Sequence, residues 1–128
     1  MSKLLSREEF KKAVFVRDKN SCVVCKAPAQ DSHHLIERKI WPDGGYLENN
    51  GVALCGDCHI KAERMDIAVD ELRRLAKITE IILPPGMTGP LDKWGNLVRE
   101  NGTRKPGPLF NDPGFRKICK HLLHLFVE

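Results

Sequence analysis

Four cysteines and three histidines, all within residues 22–59, are the side chains of this 128-residue sequence whose types and spacing could do chemistry. The cysteines form two Cys-x-x-Cys pairs, Cys22/Cys25 and Cys55/Cys58, separated by 29 residues. Two residues between cysteines let one tight turn present both sulfurs to one ion, and a tetrahedral zinc needs four ligands, with sulfur at about 2.3 Å. The spacing therefore predicts one structural zinc bound by all four thiols, against the alternative of reduced thiols or a redox pair.

The histidines are not needed for that zinc. His33 and His34 are adjacent between the two pairs, and His59 directly follows the second pair. On a strand, neighbouring side chains point to opposite faces, so His33 and His34 would do different jobs. Histidines beside a metal-bound loop suggest a second metal and chemistry, although a single histidine is more often an ordinary structural residue.

Composition places the chain among globular, water-soluble proteins. It is 41% hydrophobic and 30% charged, and no apolar run resembles a membrane helix or a secretory signal. We therefore expect a cytoplasmic protein, in which cysteines stay reduced and bind metal rather than form disulfides. The net charge of +4 permits a polyanionic partner but does not demonstrate one.

The elements around the cysteines are predicted to be short. A capping box at Ser6–Glu9 predicts a helix over about 7–17, because each end residue can bond the other's backbone. The remaining predictions are strands at Ser32–Ile36 and Val52–Leu54, a loop over 37–51, a helix from Cys58 to about Met65, a second helix capped by Asp66, and a strand or buried end at Ile81–Leu83.

The chain changes character at Pro84, where Pro and Gly begin to recur without a long periodic segment. We expect this stretch to wrap over the domain rather than form its own core. Asp112 then opens a final helix over about 114–126, with Cys119 as a buried core cysteine and not a ligand. The expected organisation is residues 1–83 with a core at 20–65, followed by an extension at 84–128.

Three segments together resemble the HNH endonucleases. The segments are His33-His34-Leu35-Ile36, then Glu48-Asn49-Asn50-Gly51-Val52-Ala53-Leu54-Cys55, then Cys58-His59. The family pattern is a His or Asp followed by a His, an Asn five residues before a Cys, and a His or Asn after the last Cys. The resemblance covers about residues 10–65. It implies a small α+β fold with a ββα-metal (His-Me) finger and structural zinc, here with an N-terminal helix and a helical, loop-rich C-terminal extension.

The resemblance also implies residue roles. His34 would be the general base that activates water. His33 and His59 would bind one divalent ion, Mg²⁺, Mn²⁺, Ni²⁺ or Zn²⁺, which contacts the scissile phosphate and stabilises the departing 3′ oxygen. Asn50 would tether the loop and orient the base without touching substrate. Its neighbour Asn49 is the competitor, because a slip of one residue exchanges the two.

The residues after the histidine pair depart from the family pattern. Many family members have a proline or a small polar residue there, whereas this sequence has Glu37-Arg38-Lys39-Ile40-Trp41. We expect Trp41 to pin the loop rather than stack on a base, and Glu37 to be a solvated loop charge rather than a metal ligand.

Four basic side chains are candidates for contacts to the nucleic-acid backbone, with solvated surface charge as the alternative. They are Arg38, Lys39, Lys61 and Arg64.

The sequence as a whole favours a metal-dependent HNH endonuclease that hydrolyses DNA phosphodiester bonds by nicking or double-strand cleavage. The expected partner is double-stranded DNA, with no membrane, and the protein would be a monomer or homodimer. The compact size is typical of an enzyme acting in a bacterial or phage-infected cell. The alternatives are a non-catalytic, zinc-containing nucleic-acid-binding module, or an HNH nuclease that acts on RNA or modified DNA.

Overall fold

The structure, a computed structural model, describes residues 3–128 and has a small α+β fold with two antiparallel sheets. In chain order, the helices and strands are α1 (Arg7–Arg17), β1 (Asp31–His34), β2 (Gly51–Leu54), α2 (Gly56–Glu63), α3 (Val69–Leu75), β3 (Leu97–Val98), β4 (Arg104–Lys105) and α4 (Pro113–Ile118). Short 3-10 helices lie at Arg38–Ile40, Glu48–Asn50 and Lys120–Leu125. Within residues 3–128, no helix is both long and apolar enough to cross a membrane.

Helix α1 starts at the predicted capping box. The Ser6 hydroxyl accepts a hydrogen bond from the Glu9 backbone N–H at 3.1 Å, and the Glu9 carboxylate accepts one from the Ser6 backbone N–H at 2.8 Å. Phe10 and Val14 are buried and pack with Ala53 of β2. The prediction of a helix over 7–17 is confirmed, and its apolar side covers one face of the first sheet.

Strands β1 and β2 pair in antiparallel register, with His33 opposite Val52 and His34 opposite Gly51. His33 contacts α2 through His59, whereas His34 contacts α1 through Phe10, so the two histidines point to opposite faces as predicted. Strand β1 ends at His34 rather than at the predicted Ile36.

The helices after β2 differ in detail from the prediction. Cys55 caps α2, which therefore begins at Gly56, two residues earlier than predicted. Asp66 does not cap α3, whose N-cap is Ala68. The Asp66 carboxylate accepts a hydrogen bond from Arg64 Nε. Residues 81–83 form no strand.

Residues 84–128 do more than cover the domain. Trp94 of the Pro/Gly-rich stretch forms a small buried cluster with Phe115 and Cys119 of the last helix, and Met65 packs against it. The burial of Cys119 is confirmed. The final helix is shorter than predicted. It ends at Ile118, and a 3-10 turn then brings Phe126 back against Phe115, with ring centroids 5.7 Å apart.

The close packing of α1 on β2 depends on a glycine. A Cβ built at Gly51 would overlap the Phe10 ring and would lie 2.8 Å from Val14 Cγ2. We predict that Gly51→Ala lowers the free energy of unfolding by about 1–3 kcal/mol, because overpacking forces well-packed neighbours to move. Urea unfolding measures this, with Gly56→Ala as the control, since there the Cβ meets only the end of the flexible Gln30 side chain. Equal stability of the two variants would contradict the packing described.

Candidate active site

The four predicted zinc ligands come together at one end of the first sheet. The thiols of Cys22, Cys25, Cys55 and Cys58 all lie within 4.8 Å of one another. A backbone hydrogen bond from the Val23 N–H to the Ala53 carbonyl, at 3.1 Å, ties the first cysteine turn to β2, which leads directly into the second pair. Four sulfur donors converging on one point fit a tetrahedral zinc.

The surrounding backbone favours a thiolate at one of these ligands. Burial acts to raise the pKa of Cys22, but backbone N–H groups of Cys25, Cys55 and Val24 stabilise the thiolate more strongly, and the pKa falls to about 7. Zinc binds the thiolate form of cysteine. The thiolate is favoured at Cys22 only, since burial raises the pKa of Cys58.

A second group of possible metal ligands lies beside the first and consists of His33, His59 and Glu63, with ligand atoms within 4.8 Å of one another. Glu63 Oε1 lies 3.4 Å from His33 Nδ1 and 3.3 Å from His59 Nε2. His33 is only 1% exposed, and neither of its ring nitrogens makes a well-formed hydrogen bond within residues 3–128. A buried polar group without a partner costs about 1–3 kcal/mol, which a bound ion would remove.

The charge states of this group suit a cation. Burial lowers the pKa of His33 to about 4, so the ring is neutral at neutral pH, as a metal ligand must be. Burial acts to raise the pKa of Glu63, but its contacts with His33 and His59 outweigh that effect and lower the pKa, so the carboxylate is ionised. The Glu63 carboxylate raises the pKa of His59. Two imidazole rings and one carboxylate are a common donor set for divalent transition metals.

Glu63 was not predicted from the sequence, although a signal was present. His59 and Glu63 are four residues apart on α2, and that spacing places two side chains on one helix face. Asp31 is a second residue that the prediction missed. Its carboxylate lies 3.2 Å from His59 Nδ1, opposite the nitrogen that faces Glu63, and can hold the imidazole ring in orientation.

His34 lies on the other face of β1 in a largely aromatic environment. Its ring stacks on Phe10 with centroids 4.7 Å apart and meets the edge of Tyr46 at 5.1 Å. The ring is hydrogen-bonded to the Gly44 backbone, whereas Nε2 is buried and has no partner in the described part of the chain. Burial, followed by the positive charge of Lys93, lowers the pKa of His34 to about 4. The neutral ring therefore has one nitrogen free to accept a proton.

The Asn50 side chain bonds to the backbone at two points of the loop between β1 and β2, Ile36 and Gly45. Its side-chain oxygen accepts from the Ile36 backbone N–H at 3.0 Å, and its amide nitrogen donates to the Ile36 and Gly45 carbonyls at 3.2 and 3.1 Å. These bonds fix the position of the backbone next to Gly44, which in turn contacts His34. Asn49 is partly exposed and lies 3.4 Å from Glu80, so it has no comparable part in the loop.

The two ligands on α2 and His34 line one cleft. His59, Glu63 and His34 share it with four basic side chains, which are Arg7, Lys11, Arg38 and Lys93. The predicted Arg38 is among them, whereas Arg7, Lys11 and Lys93 were missed. For Arg7 and Lys11 the available signal was their i, i+4 spacing on α1.

The other three predicted basic contacts do not line this cleft. Lys39 pairs with Asp112 at 3.2 Å, and Arg64 pairs with Asp66 at 3.0 Å. Lys61 is exposed on α2 outside the cleft lining.

Two expectations for the loop after the histidines have different outcomes. Glu37 is not a solvated charge, because it is only 8% exposed and its carboxylate accepts a hydrogen bond from Lys93 Nζ at 2.7 Å. The pinning by Trp41 is confirmed. Its indole N–H donates to the Ile36 carbonyl at 3.2 Å, and its ring lies so close to Gly45 that a Cβ there would overlap it.

Comparison with known families identifies this part of the chain. Residues 22–64 match the family model described as HNH endonuclease. This segment is similar to an HNH endonuclease domain. The match covers about a third of the chain and includes both groups of possible metal ligands. Comparisons with curated proteins and with solved structures gave no significant match. An HNH nuclease domain implies a nucleic-acid substrate.

The thiol cluster makes a prediction about metal content. Protein purified without added metal should contain about one zinc per chain, because the four thiols form one tetrahedral site. Cys58→Ser should lose this zinc and lower the melting temperature, whereas Cys119→Ser, which alters a buried thiol outside the cluster, should retain it. Elemental analysis and thermal unfolding measure both effects. Wild-type protein without zinc would contradict the assignment of the cluster.

The Asn50 bonds make a prediction about stability. Asn50→Ala leaves the buried Ile36 backbone groups without their partners and should lower the free energy of unfolding by about 1–3 kcal/mol. Asn49→Ala is the matched control and should change it by less than about 0.5 kcal/mol. Urea unfolding compares the two, and a larger loss in the Asn49 variant would mean that the tether is assigned to the wrong asparagine.

Proposed function

We propose that this HNH domain is a metal-dependent endonuclease that hydrolyses DNA phosphodiester bonds, with His34 as the general base. One observation carries the proposal. His34, whose Nε2 has no partner in residues 3–128, lines the same cleft as His59 and Glu63. A proton acceptor and a metal-ligand group facing one cleft are the arrangement that phosphodiester hydrolysis requires.

His34 supplies the base. Because its pKa is lowered, the ring is neutral at neutral pH and Nε2 can accept a proton from an attacking water molecule. The water oxygen then bonds to phosphorus while the bond from phosphorus to the 3′ oxygen breaks. Asn50 and the Gly44 backbone hold the loop and ring in place during this transfer. Their contribution is orientation, because neither group needs to touch the substrate.

His33, His59 and Glu63 would hold the divalent ion. Such an ion supplies positive charge for the phosphate and for the departing 3′ oxygen. Three protein ligands leave coordination positions open for water and phosphate, as a catalytic site requires. Two imidazoles with one carboxylate suit Mn²⁺, Ni²⁺ or Zn²⁺ better than Mg²⁺, which prefers oxygen ligands. We therefore propose higher activity with the transition metals than with Mg²⁺.

The basic side chains at the cleft support a polyanionic substrate. Arg7 and Lys11 lie one helical turn apart on α1, and Arg38 lines the same cleft with its guanidinium 3.4 Å from the Tyr46 hydroxyl. Such groups bind phosphates regardless of base sequence. We propose that they bind the backbone of double-stranded DNA on both sides of the cleaved bond.

A cleavage assay tests this function. Supercoiled plasmid incubated with the protein and Mn²⁺, Ni²⁺ or Mg²⁺ should become relaxed or linear. His34→Ala should lower the rate by at least about 10²-fold, since general base catalysis contributes about 10²–10⁴-fold. His124→Ala is the control, because His124 is exposed and does not line the cleft, and it should cleave like the wild type.

Two results would count against the proposal. Full activity of a zinc-containing His34→Ala variant would remove His34 as the base. Wild-type protein that binds DNA but leaves plasmid, single-stranded DNA and RNA intact with every metal would favour the non-catalytic binding module. Cleavage of RNA but not DNA would support the nuclease activity and contradict the proposed DNA substrate.

A further inference from the structure

Lys93 is a buried cation at the nuclease cleft that comes from outside the matched HNH domain. Lys93 is only 2% exposed, yet it lines the cleft with His34, His59 and Glu63. Lysine is rarely buried to this extent, because removing an ammonium group from water is costly. A lysine at this position therefore needs either a complete set of partners or a function.

The loop that carries Lys93 is held rigidly by its neighbours. The Asp92 carboxylate is buried and accepts hydrogen bonds from the backbone N–H groups of Trp94 and Asn96, both at 2.9 Å, and from Arg104 at 2.9 Å. The Lys93 carbonyl also accepts from the Glu37 N–H at 2.8 Å. A network of this kind fixes a side chain before substrate arrives, which is what a binding group requires.

The protein partners of Lys93 occupy only part of its hydrogen-bonding capacity. An ammonium group carries three donors. Within residues 3–128, Lys93 Nζ donates one hydrogen bond, to Glu37 Oε2 at 2.7 Å, and its next nearest carboxylate oxygen, Glu63 Oε1, is 3.7 Å away. Its Nζ also lies 5.3 Å from the centroid of the Trp94 ring, and the side chain is 3% exposed where it lines the cleft. The donors that Glu37 does not use are the ones that an anion entering the cleft would engage.

We propose that Lys93 is a phosphate-binding residue of this cleft, donating to a non-bridging oxygen of the scissile phosphate and stabilising the charge it gains during cleavage. The inference rests on the proposed nuclease function. It assigns residues 84–128 a direct part in the reaction, because the cation comes from this segment. A fixed donor that faces developing charge contributes about 10²–10³-fold to the rate.

Two other roles for Lys93 have to be separated from this one. It could serve only to neutralise buried Glu37, or it could act only through Glu63 by holding that metal ligand in place. Both roles follow from the same contacts. A double-mutant cycle with Glu37 tests the first role, because the effect of losing Lys93 would then depend on whether Glu37 is present. A metal titration tests the second role, because the effect would then depend on the Mn²⁺ concentration.

The experiment measures single-turnover plasmid cleavage by the full chain over a titration of Mn²⁺. The variants are Lys93→Met, Glu37→Gln and the double variant, which removes both buried charges and so avoids an unpaired Glu37. Lys117→Met, which removes an exposed positive charge on α4, is the matched control and should cleave like the wild type. Zinc content and urea unfolding establish that each variant is folded.

Our inference predicts that Lys93→Met lowers the cleavage rate by about 10²–10³-fold, and does so equally in the wild-type and Glu37→Gln backgrounds. Loss of the effect in the Glu37→Gln background would reduce Lys93 to a partner of Glu37. Recovery of the rate at higher Mn²⁺ would mean that it acts through Glu63. Either result overturns the inference while leaving the nuclease intact, whereas an inactive wild type would overturn the proposed function itself.

Discussion

The position of α2 is the constraint on which the candidate site depends. Cys55 caps this helix, Cys58 lies in its first turn, and His59 is the next residue. A metal bound by the four thiols would therefore fix the start of the helix that carries His59 and Glu63. The two metal-ligand groups differ in chemistry, sulfur in one and nitrogen with oxygen in the other, so each selects its own ion. In the proposed function, the thiol cluster contributes positioning and the histidines contribute the chemistry.

The other end of α2 is held by the C-terminal segment. The Glu63 carbonyl accepts hydrogen bonds from the Trp94 indole at 2.9 Å and from the Cys119 thiol at 3.4 Å. The residue next to Trp94 is Lys93, which reaches the cleft. Residues outside the matched HNH domain therefore both anchor a possible metal ligand and add a charge beside it. A chain cut after residue 64 would lack both of these contributions.

Much of the fold near the cysteines could be predicted, because it depends on local signals. The capping box predicted α1, and the adjacency of His33 and His34 on a strand predicted that they face opposite sides. The zinc ligands followed from their spacing alone. Prediction was weaker for features that do not follow from the local sequence, such as the start of α3. The prediction that Asp66 caps a helix was wrong, because α3 starts later, with Ala68 as its N-cap.

The candidate site was harder to predict than the fold, because its parts are distant in sequence. Lys93 reaches the cleft through a backbone and side-chain pairing with Glu37, which lies 56 residues away, and no local pattern reports such a contact. The same pairing explains why Glu37 is buried rather than solvated. The sequence carried a signal for Glu63, since it lies four residues after His59 on a predicted helix. Only its position beside His33 in the structure identifies it as a possible ligand.

Anomalous diffraction from crystals of the zinc-containing protein soaked in Mn²⁺ tests the central claim most directly. The account requires two separate ions at neighbouring sites. It predicts a zinc signal among the sulfurs of the four cysteines and a distinct manganese signal bound by His33, His59 and Glu63. A single signal shared by cysteines and histidines, or manganese bound away from these three residues, would contradict it.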